Sequence, residues 1–262
     1  YDAKVNYQDC FTSLGMWDLI IHNHLMDKNI VVPQLKVGHK ENKIEGAFVK
    51  EPHVGLHDWV ISFDLNSLYP HLIMQYNISP ETWEKRIAVG SIDDIIKGSL
   101  DKHKEELVEN NMTLAPSGDM YTKDYQGFLP YLMKKMYDDR VVWKKRMIKA
   151  KQQYEKTKDP ELIKEISKCT NMQMAKKIQL NSIYGALGNE YFRWFDVRYA
   201  ESITKGGQLA IKWAERTLNN FMNKTLKTDN KDYVIAIDTD SCYVNASELV
   251  KQTYGDNVPD TA

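Results

Sequence analysis

Cysteine is scarce in this chain. The three cysteines, Cys10, Cys169 and Cys242, stand alone, with no CxxC pair. Neither a zinc site nor a disulfide framework is supported, and reduced thiols in an intracellular setting are the expectation. Long apolar runs are also missing. Nothing approaches the ~20 consecutive apolar residues of a membrane-spanning helix. Low-complexity tracts and internal repeats are absent, and net charge is only −1. Overall charge therefore gives no sign of a nucleic-acid partner. The first residues, YDAKVNYQDC, carry no Met and no signal-peptide pattern, so a segment of something longer is expected.

What is present is a globular composition, 42% apolar and 11% aromatic over 262 residues. That length suffices for one large core or for two to three subdomains. Charge is unevenly distributed. Residues 134–158 hold ten Lys or Arg against three Asp or Glu, a pattern that equally fits a solvated helix face.

The periodicity predicts a helix over 13–28, a loop or bent strand over 43–55 and a buried strand over 58–64. A short helix follows, with Pro70 in its first turn. A helix over 91–110, a hairpin within 115–127 and two long helices over 130–156 and 160–187 come next. Their short connection suggests an antiparallel pair. The aromatic run 190–195 reads as a strand. A helix over 200–222 carries Ile203, Ala210, Ala214, Leu218 and Phe221 on one stripe. The strands 233–237 and 242–245 enclose the turn DTDS. The class is α+β: antiparallel strands packed on helices, with a helical hairpin inserted between two strand-bearing halves.

Each half ends a strand in acid: Asp64 after VISF, and Asp238 and Asp240 after VIAI. Asp is common at strand ends simply because it favours turns. Two such ends, separated by a basic hairpin, form a more specific pattern. Magnesium takes hard oxygen ligands and retains waters and phosphate oxygens. Two such ions about 3.5–4 Å apart can serve an attacking and a leaving oxygen. Divalent cations would also relieve the repulsion within the acidic turn. Lys177, Asn181 and Tyr184 fall at i, i+4 and i+7 on one helix face, and Arg140 and Lys144 at i, i+4 on the partner helix. Converging cations suit a triphosphate, although Tyr184 also reads as core and the cations as surface. Gly185 would let a ligand approach the backbone.

These residues reach a known family. DLNSLYPHLIMQYNISPET (64–82) resembles motif A of the family B DNA polymerases, and KKIQLNSIYGALGN (176–189) resembles motif B. IDTDS (237–241) resembles motif C, with Ile237 where Gly is usual. GFLPYLMKKMYDDRVVWKKRM (127–147) is similar to the first fingers helix. EGAFVKEP, NISPET, NSIYGALGN and FRWFDVR lean toward the replicative polymerases of T-even-type phages. His71 stands where Ser is common, and IEGA (44–47) lacks the aromatic and second Gly of the template-binding element.

The resemblance implies a palm with an antiparallel sheet and an inserted fingers hairpin. It divides the chain into a remnant of an N-terminal domain or linker (1–35), palm (36–126), fingers (127–188) and palm again (189–262), with no thumb expected within it. It implies template-directed DNA synthesis by a two-metal mechanism, with two Mg2+ ions, or Mn2+ in their place. Asp64 and Asp240, with the Leu65 carbonyl, would hold metal, Asp238 being less critical. Tyr69 would exclude a 2′-hydroxyl, and Ser67 and Leu68 would offer amides to the triphosphate. Arg140, Lys144 and Lys177 would hold phosphates, with Lys177 protonating pyrophosphate. Asn181, Tyr184 and Gly185 would line the nascent base pair. Partners would be primer–template DNA, dNTPs, a thumb-containing polypeptide and a replisome clamp, in the cytoplasm of a phage-infected host. Two other readings remain: a catalytically silent polymerase-like subunit, and a glycosyltransferase using Asp-x-Asp to bind a metal–nucleotide.

Overall fold

The computed structural model describes residues 4–38 and 44–255. Parts of the expected 43–55 loop, of the segment 1–35 and of the closing palm segment thus lie outside the described residues, at 43, 1–3 and 256–262.

A single turn of 3-10 helix, Tyr7–Phe11, leads into α1 (Ser13–Met26). Thr12 caps α1 by accepting a hydrogen bond from the Gly15 N–H at 3.2 Å. Then follow β1 (Val49–Lys50), β2 (Val60–Asp64), α2 (Leu68–Tyr76), β3 (Trp83–Arg86), α3 (Ile92–Ile96), α4 (Lys104–Glu109), β4 (Met112–Leu114) and β5 (Asp119–Thr122). The long helices α5 (Phe128–Thr157), α6 (Glu161–Leu187) and α7 (Val197–Leu226) precede β6 (Val234–Asp238), β7 (Ser241–Asn245) and α8 (Ser247–Tyr254). Both sheets are antiparallel: one in the order β1-β6-β7-β2, the other β3-β5-β4. The fold is α+β, as expected.

Several expectations fail for identifiable reasons. The strand ending at Asp64 is exposed along its length rather than buried. It is the edge of its sheet, and Ile61 and Phe63 lie beyond the cover of the helices at 44% and 48% exposure. The helix over 91–110 is broken, because Gly98 adopts φ 97, which interrupts the helical path between α3 and α4. The aromatic run 190–195 is not a strand. Successive i to i+3 bonds, Phe192 N–H to Asn189 O and Phe195 N–H to Phe192 O, wind it into turns that bury Phe192. On α7 the stripe passes through Met222, 4% exposed, while Phe221 faces solvent at 59%. Positions 221 and 222 both border the stripe of Ile211, Ala214 and Leu218, and it is the side of Met222 that packs on the strands.

Two cores result. The larger joins α1, α2, α5, α6 and α7 through Trp17, Ile73, Leu129, Met133, Leu180, Ile183 and Ile203. The smaller packs α7 against β6 and β7 through Ile211, Met222, Val234, Ile237, Cys242 and Val244. Ile237, unusual for its place in the motif, is thus a core residue, 1% exposed. Pro130 sits in the first turn of α5, where a missing N–H breaks no helical bond. After residues 158–160, α6 returns along α5, tied to it by Arg146–Glu165 and by Lys176–Asp139 at 3.2 Å.

Trp17 is fully buried and donates through Nε1 to Ser182 Oγ at 3.0 Å, joining α1 to α6. Trp17→Ala is expected to cost about 3–5 kcal/mol. Urea unfolding measures it, and a loss under about 1 kcal/mol would show that α1 is peripheral to the core.

Candidate active site

The site begins with strand register. β2 pairs with β7 so that Asp64 stands opposite Ser241, and β6 pairs with β7 so that Asp238 also stands opposite Ser241. Thr239 and Asp240 make the connecting turn. Thr239 adopts φ 57, a strained value for a β-branched residue. Its N–H donates to Phe48 O at 3.1 Å, and its Oγ1 donates to Asp238 Oδ1 at 2.9 Å. The Leu65 N–H donates to the Asp240 carbonyl at 2.8 Å, so the chain just past Asp64 is bonded to Asp240 itself. Ser241 Oγ donates to Asp64 Oδ2 at 3.2 Å.

From Asp64 the chain turns into α2 within three residues. Ser67 makes this possible by adopting the left-handed conformation, φ 52 and ψ 48. Its carbonyl accepts from the His71 N–H at 3.1 Å and lies 2.9 Å from His71 Nδ1. The His71 ring meets Tyr137 of α5 edge-on, with centroids 4.7 Å apart. Histidine at this position therefore braces α2 on both sides.

A cavity of about 330 Å³ opens where these elements meet α5 and α6, lined by Asp64, Asn66, Ser67, Leu68, Tyr69, Arg140, Lys177, Asn181, Tyr184, Thr239 and Asp240. Small-molecule sites run from about 300 to 1,000 Å³. One wall carries carboxylates and the opposite wall carries cations. Arg140 Nη1 donates to Ser67 Oγ at 3.0 Å, while its buried Nε has no partner. Tyr69 and Tyr184 lie with ring centroids 4.9 Å apart at 58°. Burial, helped by Tyr184 and Asp240, pushes the Tyr69 phenol up to about 12, so it is a neutral group at any ordinary pH.

The Asp240 carboxyl is held above the ordinary aspartate range. Burial is the main cause and the Asp64 charge the next, Asp238 adding to them while Lys177 opposes. A cation between the two acids would remove that penalty, so the donor set fits a hard divalent ion. Among the described residues no group of three His, Cys, Asp or Glu side chains could hold a metal.

Of the residues expected from sequence, the cavity gathers Asp64, Ser67, Leu68, Tyr69, Arg140, Lys177, Asn181, Tyr184 and Asp240. Four lie elsewhere. Lys144 is exposed, one turn of α5 beyond Arg140, about 6 Å along the axis. Asp238 is exposed at the end of β6. Gly185 has open space where a side chain would be. The Leu65 side chain packs against the smaller core, while its backbone, the part expected to serve a metal, is bonded to Asp240 beside the cavity. Asn66 and Thr239 line the cavity unforeseen; each is bracketed in sequence by expected site residues. Two larger cavities are poorer candidates. In one, Lys212 is paired to Asp93 at 3.0 Å and Arg216 donates to Ile96 O at 3.1 Å. The other is a mainly apolar groove beside Trp194.

An antiparallel sheet with acids at its strand ends thus shares one cavity with a cationic helical hairpin. Residues 17–256 match the family model for DNA polymerase family B, and the chain belongs to that family. It is 33% identical to the DNA-directed DNA polymerase of Escherichia phage RB69, an alignment covering 100% of this chain and 33% of that protein. It is 33% identical to that of Enterobacteria phage T4, covering 96% and 32%. It is 32% identical to DNA polymerase 1 of Pyrococcus abyssi, covering 76% and 21%. The chain thus spans about a third of the length of the phage relatives. In fold it is similar to the family B DNA polymerase from Pyrobaculum calidifontis, with a TM-score of 0.59 and 24% identity over 94% of this chain and 28% of that one. Among the described residues no helix is long and apolar enough to cross a membrane.

The raised Asp240 pKa has a consequence for stability. The folded state favours the protonated carboxyl, so this contribution is full below the ordinary aspartate value and is lost as pH rises through the folded value. In chelator-treated protein, Asp240→Asn should therefore gain on wild type from about pH 4 toward neutrality. Added Mg2+ should stabilise wild type and not the variant. Thermal unfolding across pH checks both; a variant that, in chelator, fails to gain on wild type between about pH 4 and neutrality would contradict the assignment.

Proposed function

We propose that this chain carries the nucleotidyl-transfer centre of a template-directed DNA polymerase, joining dNTPs to a primer 3′-hydroxyl. The observation that carries the reading is the bond from the Leu65 N–H to the Asp240 carbonyl. It joins the two acidic strand ends at one cavity, opposite Arg140 and Lys177. In this reading residues 36–126 and 189–262 form the palm, 127–188 the fingers, and 1–35 the remnant of an N-terminal domain or linker.

Asp64 and Asp240, with the Leu65 carbonyl, would hold two Mg2+ ions, Mn2+ being an alternative. When bound, these ions lower the charge cost of bringing an attacking hydroxyl to a triphosphate. Asp238 supports the acidic turn from outside the cavity. Arg140 and Lys177 take the phosphates, and Lys144 joins them as the hairpin closes. Lys177 supplies a proton to the leaving pyrophosphate. The Ser67 and Leu68 amides, near the start of α2, add donors suited to an anion. Asn181, Tyr184 and Gly185 shape the base-pair pocket. Tyr69, neutral and packed against Tyr184, presents an aromatic face to the sugar and leaves no room for a 2′-hydroxyl.

Primer–template DNA and dNTPs are the substrates, and a thumb-containing polypeptide supplies much of the duplex grip. A replisome clamp would serve the complete enzyme, in the cytoplasm of an infected bacterium. The glycosyltransferase reading is set aside by the family membership.

Primer extension with a thumb-containing polypeptide tests the reading. Asp240→Asn should lower the rate by at least about 10²-fold. Tyr69→Ala should raise ribonucleotide use by about 10- to 100-fold. Absence of extension by the complemented wild-type chain would favour the catalytically silent subunit instead.

Affinity for duplex rests on neutralised phosphates, and the dense basic segment 134–158 lies on the hairpin rather than beside the sheet. The chain alone should bind primer–template weakly and lose that binding between low and physiological salt. Tight, processive extension by the isolated chain would place the duplex grip within these residues.

A further inference from the structure

The ring of Tyr69 rests against a position that has no side chain. Gly207 is buried within α7. A methyl group there would lie 3.1 Å from Tyr69 Cε1, 3.5 Å from Leu68 Cδ2 and 3.8 Å from Tyr69 Cδ1. On another side the ring meets Tyr184 of α6. The ring is therefore bounded by the bare backbone of α7 and by a second aromatic, and its remaining freedom is toward the cavity that it lines. The preceding residue, Gly206, does a different job. A methyl there would meet Leu72 and Tyr76, further along α2, and none of its nearest neighbours belongs to Tyr69.

We propose that Gly207 is a specificity-determining position: by lacking a Cβ it sets how far the Tyr69 ring projects into the cavity, and so how strictly ribonucleotides are refused. The inference rests on the reading of Tyr69 given above. Carbon atoms pack best at about 3.5–4.0 Å, so a methyl at 3.1 Å forces a displacement of a few tenths of an ångström. α7 is poorly placed to yield. Ser202 Oγ is bonded to Ser117 and Tyr121 at 2.8 and 2.9 Å, and Gln208 Nε2 donates to Gly46 O at 2.7 Å. The Tyr69 ring borders open space, so the ring moves. The contact is with the ring edge and not the hydroxyl, so it is the position of the ring that changes, while its chemistry is preserved.

The test is single-nucleotide incorporation of matched dNTP and rNTP by the chain with a thumb-containing polypeptide, alongside calorimetric titration of both nucleotides into the chain. Gly207→Ala should raise the KM and Kd for dNTP and lower the rNTP/dNTP ratio by about threefold or more. Alanine is the better helix former, so the helix itself is not weakened. Gly206→Ala, which crowds α2 without touching Tyr69, should leave the ratio at the wild-type value. In a Tyr69→Ala background the effect of Gly207→Ala on the ratio should vanish, as expected for directly coupled residues. An unchanged or higher ratio in Gly207→Ala would overturn the inference. So would an equal drop in Gly206→Ala, or a drop that persists without the Tyr69 ring. Failure of wild type to take up either nucleotide would instead sink the polymerase reading, and this inference with it.

Discussion

One backbone hydrogen bond, from the Leu65 N–H to the Asp240 carbonyl, carries the site. Strand pairing brings Asp64 opposite Ser241, and this bond extends the pairing past the strand ends into the acidic turn. Two like charges left to themselves would separate. Here they cannot, because β6 and β7 are packed under α7 through Ile237, Cys242 and Val244. The smaller core thus offsets the cost of burying Asp240 beside Asp64, the two causes that raise the Asp240 pKa most. Two of the non-glycine residues at positive φ, Ser67 and Thr239, stand at this site. Strain and repulsion persist only where the surroundings over-determine them.

The opposite wall has a different origin. α5 and α6 are amphipathic only in part, and much of their length is solvated. Their bases enter the larger core at Leu129, Met133, Leu180 and Ile183. Arg140 and Lys177 sit just beyond that anchored zone, where the helices part from the core and reach the cavity. Charge is thus nearly balanced overall, at −1, yet polarised at the cavity, with Asp64 and Asp240 on the sheet side and Arg140 and Lys177 on the hairpin. Such an arrangement suits a ligand that brings its own negative charge together with divalent cations. Departures from the family pattern are absorbed by local packing. His71 braces α2 between Ser67 and Tyr137, and Ile237 fills core beneath the acidic turn.

Much of this was legible in the sequence. The acidic strand ends, the i, i+4, i+7 row of Lys177, Asn181 and Tyr184, and the hairpin of long helices are local patterns with local causes. Period and short spacing therefore identified them. The failures are equally physical. DWVISFD has the composition of a buried strand, and nothing within those seven residues reveals that β2 would lie at a sheet edge. EYFRWF has strand propensity, but burying Phe192 in the larger core outweighed it. Spacing alone does not separate Asp238 from Asp240 in DTDS, and only the resemblance ranked Asp240 first; of the two, Asp240 lines the cavity.

By itself, then, the sequence determined the family, the α+β class, the elements that bear charge and most of the residues that meet at the cavity, because all of these are written in short-range spacing. Tertiary structure alone decided which neighbour each residue faces: Asp240 bonded back to Leu65, Lys144 left outside, Tyr69 seated against the bare backbone of Gly207. These contacts join residues more than a hundred positions apart. They exist only because two cores pack helices and strands at close range, and no local pattern in the chain encodes that distance.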